Sequence, residues 1–145
     1  MPIPEFNTDG FLPEGIHSCG EDEFLLRFGY NTHRRRFIQD GLMRVTKYLA
    51  RKGIKTIFIG GSMVTAKELP RDIDAFVITP LKNPLFFEIL MCREQWKRLY
   101  SVDLLPAQPF GKGEITEEGL KCFFSENGKK GLIKLLLQGE SHVSD

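Results

Sequence analysis

The chain has 145 residues, 41% of them hydrophobic, and a formal net charge of +1 from 20 Lys+Arg against 19 Asp+Glu. That is one domain's worth of material with enough apolar content for a core. Twelve Phe argue against disorder. The balanced charge argues against bulk electrostatic coating of nucleic acid or membrane.

The opening Met1-Pro2-Ile3-Pro4-Glu5 has neither the basic nor the apolar part of a secretory signal. No apolar run reaches the length of a membrane span. Cys19, Cys92 and Cys122 are odd in number and far apart. A disulfide framework or zinc site is not expected, and a cytoplasmic location is. His17, His33 and His142 show no ligand spacing and read as surface or hydrogen-bonded side chains.

Residues 1–20 are rich in Pro and Gly and read as an extended arm, pinned to the body by Phe6, Phe11, Leu12 and Ile16. Residues 21–138 read as the domain proper, and 139–145 as a frayed tail. Glu21 to Phe28 has apolar residues at helical spacing and stops at Gly29. Ile38, Leu42, Val45 and Leu49 form one apolar stripe, which predicts a helix over 32–52. Gly41 weakens it by about 1 kcal/mol relative to Ala. Three arginines, Arg34 to Arg36, sit at its start, where the helix dipole disfavours cations. Either ion pairs with Glu21, Asp22 or Glu23 or contact with RNA would explain them.

Ile54 to Ile59 is short and β-branched, a strand ending in Gly60-Gly61-Ser62. Met63 to Glu68 reads as a short helix and Leu69-Pro70-Arg71 as a turn. Asp72 to Ile78 is a second strand. Leu85 to Leu99 is helical, with Trp96 and the Phe86-Phe87 pair read as core. Val102 to Leu105 is a third strand, stopped by Pro106. Residues 116–124 look helical, Asn127-Gly128 marks a turn, and Gly131 to Leu137 is a fourth strand. Helices alternating with strands predict an α/β (α+β) fold: one small domain, a mixed twisted sheet of about four strands, and helices mainly on one face.

The chemistry concentrates in Gly60-Gly61-Ser62 and Asp72-Ile73-Asp74. Glycine lets the backbone turn tightly and approach a ligand without a Cβ. A helix opening there would aim unpaired N–H groups at an anion, which suits phosphate. Ser62 adds a hydroxyl donor, and Lys67 a nearby cation. Asp72 and Asp74 are two apart on a strand and point the same way, about 7 Å apart at their Cα atoms. They repel unless a cation sits between them. Mg²⁺, or Mn²⁺ in its place, fits that demand through carboxylate and phosphate oxygens. Asp103 repeats the pattern of an acid flanked by apolar residues on a strand. If its strand lies beside that of Asp74, three carboxylates can hold two ions, with Asp103 orienting or deprotonating an attacking hydroxyl. Glu88 or Glu94 is the substitute if it does not.

Gly61-Ser62, Asp72-x-Asp74 and a later strand acid resemble the signature of the nucleotidyltransferase (DNA polymerase β-like) fold. The longer string is similar to a family of small uncharacterised prokaryotic proteins assigned to it. That string holds Asp9-Gly10-Phe11-Leu12-Pro13-Glu14-Gly15-Ile16-His17, Arg27-Phe28-Gly29, Arg34-Arg35-Arg36, Gly61 to Lys67, Pro70, Asp72 to Asp74 and Lys130-Gly131-Leu132-Ile133. The resemblance implies transfer of a nucleoside monophosphate from a nucleoside triphosphate, ATP first, to a hydroxyl on a protein, an RNA end or a small molecule. It gives Gly61 and Ser62 the phosphates and Asp72 and Asp74 the metals, with Asp103 as the third acid. It implies a helical partner protein, as in some toxin–antitoxin pairs, because no second domain is present to grip the nucleotide. Two alternatives stand beside this: a non-catalytic nucleotide- or partner-binding module, and a small RNA-binding protein using Arg34 to Arg36.

Overall fold

A computed structural model describes residues 3–29, 31–67, 70–107 and 131–138. The expected helix over 116–124, the turn at Asn127-Gly128, Cys122 and the tail lie outside them. The strands are β1 (Ile16–Gly20), β2 (Thr56–Gly60), β3 (Ile73–Ile78), β4 (Val102–Ala107) and β5 (Leu132–Leu136). The helices are α1 (Glu21–Phe28), α2 (His33–Arg51) and α3 (Pro84–Tyr100). Each helix forms where the apolar spacing predicts it. Thr32 caps α2 by accepting from the Arg35 amide, and Asn83 caps α3 by accepting from the Leu85 amide.

The sheet has five strands in the order β1-β5-β2-β3-β4. β2 runs antiparallel to both β5 and β3, whereas β3–β4 and β1–β5 are parallel. The fold is therefore a small mixed α/β domain, with one strand more than the sequence predicts. The extra strand, β1, is the end of the expected arm. Its amides pair with β5 rather than folding into a local hairpin, and a pairing across more than a hundred residues leaves no local signal. The rest of the arm is anchored: Ile3 and Leu12 are buried, and Phe6 packs against Phe28 and the Arg27 guanidinium.

Side-chain alternation divides the sheet. Ile57, Ile59, Ile73, Ala75, Val77, Val102, Leu104, Ile133 and Leu135 face one way and join Phe24, Phe28, Ile38, Leu42, Val45, Leu49, Leu85 and Ile89 in a single core. All three helices thus cover one face. A small cluster of Phe58, Phe76 and Leu132 occupies the other.

Three local expectations need correction. β4 runs through Pro106 to Ala107, because it is an edge strand in which a missing N–H is tolerated. Phe87 is 52% exposed, so it does not belong to the core. Cys92, which like Cys122 reads in the sequence as a small buried hydrophobe, is only partly buried, whereas Cys19 is buried. Trp96 is half-buried in an edge-on contact with Tyr48. Among the described residues no helix is long and apolar enough to cross a membrane.

Candidate active site

Gly60, Asp74 and Asp103 form one row across three adjacent strands. Gly60 pairs with Asp74 between β2 and β3, and Asp74 pairs with Asp103 between β3 and β4. Neighbouring strands lie about 4.8 Å apart, so the two carboxylates are close neighbours on the face opposite the helices. Asp72 lies immediately before β3, near enough for its charge to act on Asp74. The sequence condition for a three-carboxylate group, adjacency of β3 and β4, is met.

The electrostatics follow from that row. Burial, then the charges of Asp72 and Asp103, push the Asp74 carboxyl up to about 6, and Lys97 pulls it back in part. The group is short of positive charge. Asp103 is differently placed, because it accepts from Arg93 Nε at 3.0 Å and lies 3.7 Å from Lys97 Nζ. Both cations come from α3, whose last turns pass over the β4 edge. Asp103 thus has two cations of α3 paired with it directly, while Asp74 feels only the more distant pull of Lys97. Asp72 and Asp74 suit one divalent cation as they stand. Asp103 joins them only if Arg93 swings away, and among the described residues no three His, Cys, Asp or Glu side chains are already gathered as ligands. Glu88 is no substitute for Asp103, since it accepts from the Tyr48 hydroxyl of α2 and pairs with Lys52 just after that helix. Glu94 is exposed.

The glycine turn lies against the carboxylates. Gly61 has φ +78°, and a Cβ there would come within 2.5 Å of Asp74 Oδ2. Glycine is required both for the left-handed backbone and for the close approach. Lys67 is exposed beyond the turn, and the side chain of Ser62 is outside the described part.

The expected helix over 63–68 is corrected. Among the described residues only a three-residue 3-10 turn, Ser62–Val64, forms there. The carbonyls that would continue it are taken by tertiary partners: Met63 and Thr65 accept from Arg35 at 2.7 Å each, and Lys67 accepts at 2.6 Å. Ala66 donates to Gly10 of the arm, and Phe11 bridges to Thr65. The helix-dipole argument for phosphate therefore falls away, and the glycine turn itself remains.

Arg34 and Arg35 meet neither explanation offered for them. Arg35 is 2% exposed and also donates to the Phe28 carbonyl at 3.0 Å. Arg34 donates to the carbonyls of Pro70 and Arg71 and to Ser101 Oγ. No acid at 21–23 is involved, and the three-arginine RNA patch is left with Arg36 alone. The dipole mismatch at the start of α2 was the signal that these side chains had a tertiary task.

The model of a family of unknown function (DUF6932) matches residues 4–136, which takes in every strand and helix described above. The chain belongs to that family. No curated protein and no solved structure matches it. Family membership thus covers the carboxylate row and the glycine turn without assigning either a task.

Proposed function

We propose that the protein is a metal-dependent nucleotidyltransferase, moving a nucleoside monophosphate from a nucleoside triphosphate, ATP first, to a hydroxyl acceptor. The observation that carries the reading is the row in which Asp74 has Asp103 as its parallel-strand partner and the Gly61 backbone pressed against its carboxylate. Paired acids beside a glycine-lined turn combine metal and phosphate affinities within one small space. The resemblance of the Gly-Ser and Asp-x-Asp motifs to the nucleotidyltransferase fold points the same way.

In this reading Asp72 and Asp74 would hold Mg²⁺ or Mn²⁺, which supplies charge neutralisation at the phosphates and acidifies a nearby hydroxyl. The Gly61-Ser62 turn and Lys67 orient the triphosphate. Asp103 orients the acceptor hydroxyl once Arg93 releases it, and Arg93 is then free to meet phosphate.

The test incubates the protein with labelled ATP, Mg²⁺ and a whole-cell lysate. A labelled product that is lost with Asp72→Asn/Asp74→Asn supports the reading and names the acceptor class. Wild-type protein that neither labels any acceptor nor binds ATP with Mg²⁺ refutes it.

One observation favours a second reading, a non-catalytic binding module. The Arg93 and Lys97 side chains already occupy Asp103. A module of this kind binds nucleotide or a helical partner, in the manner of an antitoxin-like component, and transfers nothing. ATP binding without any labelled product, unchanged by Asp103→Asn, would single it out.

A further inference from the structure

We infer that Arg34 and Arg35 are the positioning residues of this site, two adjacent side chains of α2 that tie the phosphate turn and the carboxylate strands to one frame. The inference rests on the nucleotidyltransferase reading for what is positioned, but its geometry stands alone.

The two guanidinium groups divide the site between them. Arg35 reaches the connector after the glycine turn and binds the carbonyls of Met63, Thr65 and Lys67, while Phe28 supplies a fourth acceptor from the end of α1. Arg34 reaches the other flank. It binds Pro70 and Arg71, the residues immediately before Asp72, and Ser101, two residues before Asp103. Ser101 has a left-handed backbone, φ 57°, and its carbonyl accepts from the Ile73 amide. Arg34 therefore fastens the entry of β3 and the entry of β4 at the point where they first pair.

The chemistry explains why arginine serves. The planar fork presents several donors in fixed directions, so one side chain can satisfy several carbonyls that no regular helix or sheet satisfies. Every described partner of Arg35 is a neutral group, and burial lowers its pKa. A buried cation without a counter-charge is costly. That cost makes sense under a turn that receives a polyanion, because the charge stays directed at the connector and is not cancelled by an acid. Among its described residues the connector has only a single 3-10 turn of its own, so their shape depends on the fork.

The division of labour gives a split that a general loss of structure would not. Four variants, Arg35→Lys, Arg35→Met, Arg34→Lys and Arg34→Gln, are compared with wild type. Each is titrated with ATP in the absence of metal and with Mn²⁺ in the absence of nucleotide, and backbone hydrogen exchange is followed by mass spectrometry. The Arg35 variants should weaken ATP binding by ~10-fold or more and Mn²⁺ binding by less than ~3-fold. The Arg34 variants should do the reverse. Exchange should quicken over 61–67 for Arg35 and over 70–74 and 101–103 for Arg34, with β2 and β5 amides unchanged. If Arg35→Met does not fold, Arg35→Lys carries the comparison, since it keeps the charge and loses the fork. Equal losses of both ligands, or unchanged exchange in these segments, overturn the inference. Wild-type protein that binds neither ATP nor Mn²⁺ overturns the nucleotidyltransferase reading, and the role of the arginines in that reaction falls with it.

Discussion

A Cβ on Gly61 would stand 2.5 Å from Oδ2 of Asp74, so the glycine turn after β2 and the acid on β3 are fitted to each other. Contact between a strand's end and its neighbour's carboxylate leaves room for hydrogen at this position and nothing larger. The turn that would receive phosphate and the acid that would hold metal are thus one structural unit.

Gly61→Ala tests this directly. The substitution demands φ +78° of an L-residue and drives a methyl group into the Asp74 carboxyl. Unfolding in urea should show a loss of about 1–3 kcal/mol. Mn²⁺ binding should weaken together with stability, because Asp74 must move to make space.

Asp74 also sets a pH dependence. Its folded pKa, about 6, lies above the ordinary value of 3.8, so the native state binds more protons than the unfolded chain between those values. Stability contributed by the protonated acid is present below about pH 4 and is lost as pH rises through about 6. Asp74→Asn cannot ionise. Its stability measured against wild type by chemical denaturation should therefore gain steadily from pH 4 to pH 7 and then level off. A divalent cation should erase that gain in wild type at pH 7, since metal replaces the missing positive charge. A difference that does not change with pH would mean that the row is screened by other groups.

Arg93 and Lys97 each take one oxygen of Asp103 and would compete with a metal for it. The Arg93 side chain is 40% exposed, so Arg93→Ala should change stability by no more than about 1 kcal/mol. It should tighten Mn²⁺ binding several-fold, by releasing Oδ1 of Asp103 toward Asp72 and Asp74 while Lys97 still faces Oδ2. Isothermal titration distinguishes the outcomes. Unchanged affinity would place Asp103 outside the metal site and strengthen the binding-module reading.

Gly41 reverses a simple propensity argument. Helix propensity alone predicts that Gly41→Ala stabilises α2 by about 1 kcal/mol. In the folded chain a Cβ there would lie 2.5 Å from the Tyr100 Cβ and 3.0 Å from its carbonyl oxygen. The end of α3 crosses α2 at this glycine. The variant should therefore lose about 1–3 kcal/mol by thermal or urea unfolding, with α3 pushed outward.

Much of this was legible in the residues. Apolar stripes at helical spacing located α1, α2 and α3, because burial of one face leaves a periodic trace, and short β-branched or apolar runs bounded by turn residues located β2 to β5. That the Gly61 turn and Asp74 belong together was suggested by spacing and turn chemistry, and the structure sets the two in contact. The short helix expected after Ser62 was not to be had, since its carbonyls are claimed by Arg35 from a distant helix. β1 was hidden for the same kind of reason: its partner β5 is far along the chain, and a five-residue edge strand carries little pattern of its own.

Composition and periodicity by themselves determined the fold class, the core stripes of α1 and α2 and the acids worth testing, because those depend on local preference and on which side chains avoid water. Only the tertiary structure decided which acids are neighbours, that Asp103 is already shared with Arg93 and Lys97, and that Arg34 and Arg35 turn inward to backbone carbonyls. Those are matters of strand order and of charge competition across space, and one-dimensional spacing does not encode either.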